Sequence, residues 1–131
     1  MELYELMGYE LREKLKSKEI TLNDVYKSIF ERIQSTESSI NSFVHLSEEN
    51  ALNEARRYQA DLNKGIDIGP LYGLPFANKD LICVKDIPTT CCSNILKGYL
   101  PPYNATVINR LFQANGIYIG NTNMDEFAMG S

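Results

Sequence analysis

Charge divides this chain in two, and that division limits its fold more than any other feature. Residues 1–65 carry 9 basic and 12 acidic side chains, whereas residues 66–131 carry only 4 and 5. An outer helix needs a solvated face, while a strand inside a sheet is close to apolar throughout. The chain therefore reads as a helical layer followed by buried sheet, an α/β protein.

Apolar periodicity fills in the first half with three helices. Leu3, Leu6, Met7, Leu11 and Leu15 share one face, with Gly8 a weak spot inside the run. Thr21 starts a second helix, and Asp24 three positions on makes a capping-box-like beginning. Leu22, Val25, Ile29, Phe30 and Ile33 form its stripe. Ser47 caps a third helix with Ala51, Leu52, Ala55 and Leu62 on the apolar side, and Gly65 terminates it. His45, the single histidine, falls at a helix–loop junction on this reading.

The second half predicts strand, helix and strand. Gly69-Pro70 and Gly73 mark a turn before a largely apolar run over 74–82, with Pro75 suited to its start or to an edge. Asn104 is placed to cap a helix through Asn115, with Val107, Ile108, Leu111 and Phe112 buried and Gly116 ending it. Ile117-Tyr118-Ile119 is a compact strand. This order implies a right-handed crossover and a parallel pair.

Composition excludes several classes of function. With 44% hydrophobic and 23% charged residues the chain is too apolar for disorder, and 131 residues suffice for a core. A net charge of −4 disfavours a broad nucleic-acid face. No apolar run reaches the 18 or so residues of a membrane span, and the charged start lacks a signal core, so the reading is cytoplasmic. Cys83, Cys91 and Cys92 are odd in number with no CxxC spacing, which favours reduced thiols over zinc or a disulfide framework.

Lys79 carries the chemistry that can be read from residues alone. A free lysine is neutral only about 4 times in 10,000 at pH 7. Poising it as a general base takes roughly 3–5 kcal/mol of environmental bias, which burial can supply. The other reading has Lys79 snorkelling at a strand end or pairing with Asp80. Cys91-Cys92 lacks a cationic partner for a reactive thiol. The run Asn121, Asn123, Asp125, Glu126 lacks calcium-loop spacing and reads as turn and capping residues, so no metal site is expected.

Longer motifs then identify a family. The Leu74-Pro75-Phe76 and Lys79-Asp80 strand, the Pro88-Thr89-Thr90 turn, the Pro102-Tyr103-Asn104-Ala105-Thr106-Val107 helix start and the block from Gly120 to Ser131 resemble the amidase-signature enzymes. Asn123-Met124-Asp125-Glu126-Phe127-Ala128-Met129-Gly130-Ser131 is the most discriminating block. It is closest to the glutamine-hydrolysing A subunits of glutamyl-tRNA(Gln)/aspartyl-tRNA(Asn) amidotransferases.

The resemblance implies an α/β/α sandwich of which residues 1–131 are the N-terminal part, with 1–65 the helical layer and 66–131 the start of the core. It implies a Ser–cis-Ser–Lys triad in which Lys79 is the base, and a substrate pocket lined in part by Met129, Gly130 and Ser131. It also implies partner subunits B and C, glutamine as substrate, misacylated tRNA reached through the complex, and ATP with Mg2+ at a partner subunit. Both triad serines belong to a downstream Gly/Ser-rich stretch that this chain does not contain. The 131-residue chain is accordingly expected to be inactive alone. Two other readings stay open: a non-catalytic binding module derived from an amidase, and the front part of another small-amide hydrolase.

Overall fold

The computed structural model describes residues 2–130. The first helical run divides in two. A 3₁₀ turn spans Leu3–Glu5, Met7 is extended, and α1 begins at Gly8 and runs to Lys16. The Glu10 carboxylate accepts from the Met7 backbone N–H at 2.8 Å, so a new helix start competes with continuation of the first turn.

Helix α2 (Leu22–Ile40) starts as the sequence predicts. The Thr21 hydroxyl accepts from the Asp24 N–H, and the Asp24 carboxylate accepts from the Thr21 N–H. Leu22, Val25, Tyr26 and Phe30 are buried, while Ile29 and Ile33 pack half-buried at their edge. Each fully buried apolar side chain contributes about 1.5–3 kcal/mol. Tyr26 adds a directional tie, donating to the Gly73 carbonyl at 2.9 Å.

Helix α3 (Glu48–Asn63) buries Ala51, Ala55 and Tyr58 against α2 and the sheet. Ser47 stands at its N-cap position, but its hydroxyl meets His45 Nε2 at 3.0 Å instead of capping the first turn. Gly65 (φ 77) follows the helix end, as expected.

The helical half also holds a strand that periodicity does not announce, β1 (Phe43–Leu46). His45 therefore lies in the sheet and not at a helix–loop junction. Strands β2 (Pro75–Lys79) and β3 (Ile117–Thr122) complete a three-stranded sheet in the order β1-β3-β2. β3 is parallel to β2 and antiparallel to β1. Pro75 begins an edge strand, where its missing N–H costs least.

β3 can be central because Ile117, Tyr118, Ile119, Gly120 and Asn121 are all buried. At Gly120, a Cβ would stand 2.3 Å from the His45 carbonyl oxygen, so only glycine admits β1 at this distance.

Helix α4 (Thr106–Gln113) is shorter than the sequence predicts. Asn104 does not cap it: its Oδ1 accepts from the Lys85 N–H at 2.7 Å and its Nδ2 donates to Asn109. The chain leaves the helix through Asn115 in the left-handed region (φ 59), ahead of Gly116. Ile108 is buried and Leu111 half-buried, but Val107 and Phe112 are 48% and 36% exposed. The expected four-residue face is thus half covered, because only its Ile108–Leu111 side meets the small cluster of Val84 and Tyr118.

Candidate active site at the strand ends

Parallel α/β sheets place ligands beyond the C-terminal ends of their strands, because the connecting loops gather there. In this chain those ends are Lys79 on β2 and Thr122 on β3, which stand opposite each other in register. The chain turns sharply after Lys79, whose carbonyl accepts from the N–H groups of Leu81 (2.8 Å) and Ile82 (2.9 Å).

The Lys79 side chain is exposed. Among the described residues its ammonium has no ion-pair or hydrogen-bond partner, and the pair with Asp80 does not form. The burial anticipated for a lysine in an apolar strand is likewise not supplied by residues 2–130. Strand β2 is an edge, and Lys79 leaves it at the open end.

Asp80 is wholly buried and held from several sides. Its carboxylate accepts from the Thr90 hydroxyl (2.5 Å), the Thr90 N–H (3.2 Å), the Cys92 N–H (3.1 Å) and Asn121 Nδ2 (3.2 Å). Asn121, also fully buried, donates to the Pro88 carbonyl (2.9 Å) and accepts from Tyr118 OH (2.7 Å) and Asn78 Nδ2 (3.2 Å). Asn78 closes the circuit onto the Ile82 carbonyl at 2.6 Å. A buried carboxylate is tolerable only when its lone pairs are satisfied in this way. The network fastens the 88–92 loop to both strand ends and so fixes the backbone from which Lys79 projects.

This network is the part of the site that pattern reading misses. The sequence reading places Asn121 in a turn, yet it lies inside β3. The available signal is a pair of asparagines in otherwise apolar strands, Asn78 and Asn121, which the register sets opposite each other.

The segment after β3 is drawn to the same place. Phe127 N–H donates to the Cys91 carbonyl (3.0 Å), and the Ser93 hydroxyl donates to Glu126 (2.6 Å). Gly130 N–H donates to Asp125 Oδ2 at 2.8 Å, and Met129 is 83% exposed. Met129 and Gly130 thus sit on a loop tied through the 90–93 turn to the Lys79 strand end; Ser131 lies outside the described residues. Cys91, Cys92, Phe127 and Ala128 all adopt positive φ between 51° and 54°. Such non-glycine positions cost on the order of 1–3 kcal/mol each and gather at functional sites.

Other titratable groups here are unsuited to chemistry. Burial, and then the Asp80 charge, push the Cys91 thiol up. Burial is also the main cause for Cys92, again with Asp80 adding to it. Both stay as thiols at neutral pH, and no nucleophilic cysteine results. Burial lowers His45, with Asp80 opposing, so its imidazole is neutral near pH 7. A cavity of about 500 Å³ opens elsewhere, against Tyr58, Val84, Phe112 and Tyr118, and does not include Lys79. Ser47 lines it with His45 Nε2 at 3.0 Å from its hydroxyl, while burial raises Tyr118, and Arg57 is committed to Glu54 and the Tyr58 ring.

Residues 24–131 match the family model described as Amidase. The chain belongs to the amidase family. Over its whole length it is 44% identical to the A subunit of the glutamyl-tRNA(Gln) amidotransferase of Natranaerobius thermophilus and 46% identical to that of Carboxydothermus hydrogenoformans. In both cases it spans 27% of the relative's length. Among solved structures, the peptide amidase of Stenotrophomonas maltophilia superposes with a TM-score of 0.86 at 25% identity, over 94% of this chain and 26% of that one. The fold is therefore the mixed α/β arrangement of amidase-signature enzymes, covered in part.

Proposed function

We propose that this chain is the N-terminal part of the glutamine-hydrolysing subunit of a tRNA-dependent amidotransferase. The observation that carries the proposal is Lys79 standing unpartnered at the open end of a parallel strand pair while the adjacent Asp80 is locked away. Such a lysine is positioned and uncommitted. With its charge removed by the desolvation that further chain packing over this edge provides, it serves as general base.

In the reaction, neutral Lys79 takes a proton through a bridging serine, and a second serine attacks the side-chain carbonyl of glutamine. Backbone N–H groups stabilise the oxyanion, and ammonia leaves. Water then releases glutamate from the acyl-enzyme. Both serines come from sequence that follows the matched segment. The loop with Met129 and Gly130 lines part of the glutamine pocket. The exposed Val107, Phe112, Leu100 and Ile95 support the packing of more chain on this half.

Ammonia is then used at a partner subunit, with subunits B and C completing the complex in the cytoplasm. There ATP with Mg2+ activates the misacylated Glu-tRNA(Gln) or Asp-tRNA(Asn). We place that nucleotide on the partner subunit; among the described residues of this chain no three His, Cys, Asp or Glu side chains gather as a metal-holding group. Among the described residues no helix is long and apolar enough to cross a membrane.

The test joins residues 1–131 to the remaining three quarters of the Carboxydothermus protein, co-expressed with its partners. The chimera is expected to release ammonia from glutamine, and the 131-residue chain alone to release none. Turnover by the isolated chain, once its intact mass is verified, contradicts the proposal.

A further inference from the structure

A second site, which does not include Lys79, lies where α1 ends. A cavity of about 500 Å³ is lined by Arg12, Lys16, Lys18, Leu62, Ile66 and Tyr72, together with one carboxylate, Asp67. A smaller cavity of about 100 Å³ shares Lys16, Lys18, Leu62 and Tyr72 and carries the groove on past Ile20 to Gln59. Through these shared walls the two make one trench whose lining mixes cationic and apolar side chains.

The charges of this trench are not balanced from within. Lys16 has Glu13 at 3.3 Å, but Glu13 lies outside the lining. The nearby carboxylates are engaged elsewhere, Glu19 with Lys14 and Asp61 with Lys64. Asp67 accepts from the Gly69 N–H at 2.8 Å. Among the described residues Arg12 and Lys18 have no acidic partner. Arg12 Nε is moreover buried without any hydrogen-bond acceptor, a condition that costs stability unless an acceptor arrives. Lys18 is set outward by a left-handed turn (φ 61), and Ile66 is 50% exposed.

We infer that this trench docks an acidic segment of a partner protein, with a glutamate or aspartate carboxylate on Arg12 and an apolar side chain against Leu62, Ile66 and Tyr72. Three cations facing one carboxylate supply the complementarity. The guanidinium fork suits a carboxylate, and Nε is the donor it still has to place. The elongated double cavity favours an extended peptide over a compact anion. Cations near a helix C-terminus also offset the helix dipole, which explains Lys16 but not the buried, unpaired Nε of Arg12.

The experiment follows the Arg12 Nε–Hε resonance of the full-length chimera by nitrogen-15 NMR. The probe is a capped peptide, Glu-Glu-Leu-Glu-Glu-Phe-Glu-Glu. A saturable shift of that resonance is expected, with matching amide shifts at Lys18, Leu62, Ile66 and Tyr72. Affinity is expected to fall several-fold between 0.05 and 0.3 M salt, roughly as the Debye length shortens. Lys18→Glu, an exposed substitution that leaves the core alone, is expected to weaken binding about tenfold or more. An unmoved Arg12 signal, unchanged affinity in Lys18→Glu or equal binding of the lysine-for-glutamate peptide overturns the inference. So does inorganic phosphate that shifts the signal over the same concentrations, which makes the site a simple anion site.

Discussion

Lys79 and Asp80 are neighbours in sequence with opposite surroundings, because side chains alternate in direction along extended backbone. The alternation that buries Asp80 and Asn78 directs Lys79 and Ala77 outward. The carboxylate that a reader of the sequence assigns to Lys79 is thereby consumed by Thr90, Cys92 and Asn121. His45 makes the same point through pH. Burial holds its folded-state value below the ordinary 6.5, so the unfolded chain binds the proton more readily. Stability is then full above about pH 7 and falls as pH drops through 6.5 toward the lowered folded value. Asp24, lowered by its hydrogen bond with Thr21, acts in a separate window, below about pH 4. Urea unfolding between pH 5.5 and 7.5 checks this: the slope should vanish in His45→Gln, and a slope that persists there assigns it to another group.

At the scale of elements, the Asn121 carboxamide joins β2, β3 and the 88–92 loop through four partners. Asn121→Ala leaves the Asp80 carboxylate, the Tyr118 hydroxyl, the Pro88 carbonyl and Asn78 Nδ2 short of one partner each. The expected loss is about 2–4 kcal/mol, since each unsatisfied buried group costs about 1–3 kcal/mol. Urea midpoints measure it, and a loss below about 0.5 kcal/mol means that water replaces the amide freely.

What can be read in advance follows the range of the interactions. α2 and the β2–β3 pair are legible because caps, apolar stripes and strand–helix–strand order are local signals. β1 is not: four residues with one exposed valine carry too little period, and its place depends on Gly120, more than seventy residues away. The early break before α1 and the short end of α4 are set by single side chains, Glu10 and Asn115. Lys79 as the candidate base rests on family resemblance; the asparagine network that positions it needs the register.

For the molecule as a whole, the charge-rich half and the charge-poor half serve different neighbours. The first covers one face of the small sheet through α2 and α3, with Leu22, Val25 and Tyr26 wholly buried. The second exposes Ile95, Leu100, Val107 and Phe112, and it carries Lys79 at an edge with no covering layer among the described residues. The chain spans 27% of the length of these relatives, and in the proposed function Lys79 is the base that meets its nucleophile in further sequence. In the proposed function Lys79 acts by accepting a proton and not by its charge. Arginine keeps the charge and cannot be deprotonated, so the two roles separate. The deciding measurement is glutamine hydrolysis by the chimeric protein carrying Lys79→Ala or Lys79→Arg. Both are predicted to lose about 10²–10⁴-fold in kcat, and an Lys79→Arg enzyme that keeps its activity would contradict the account.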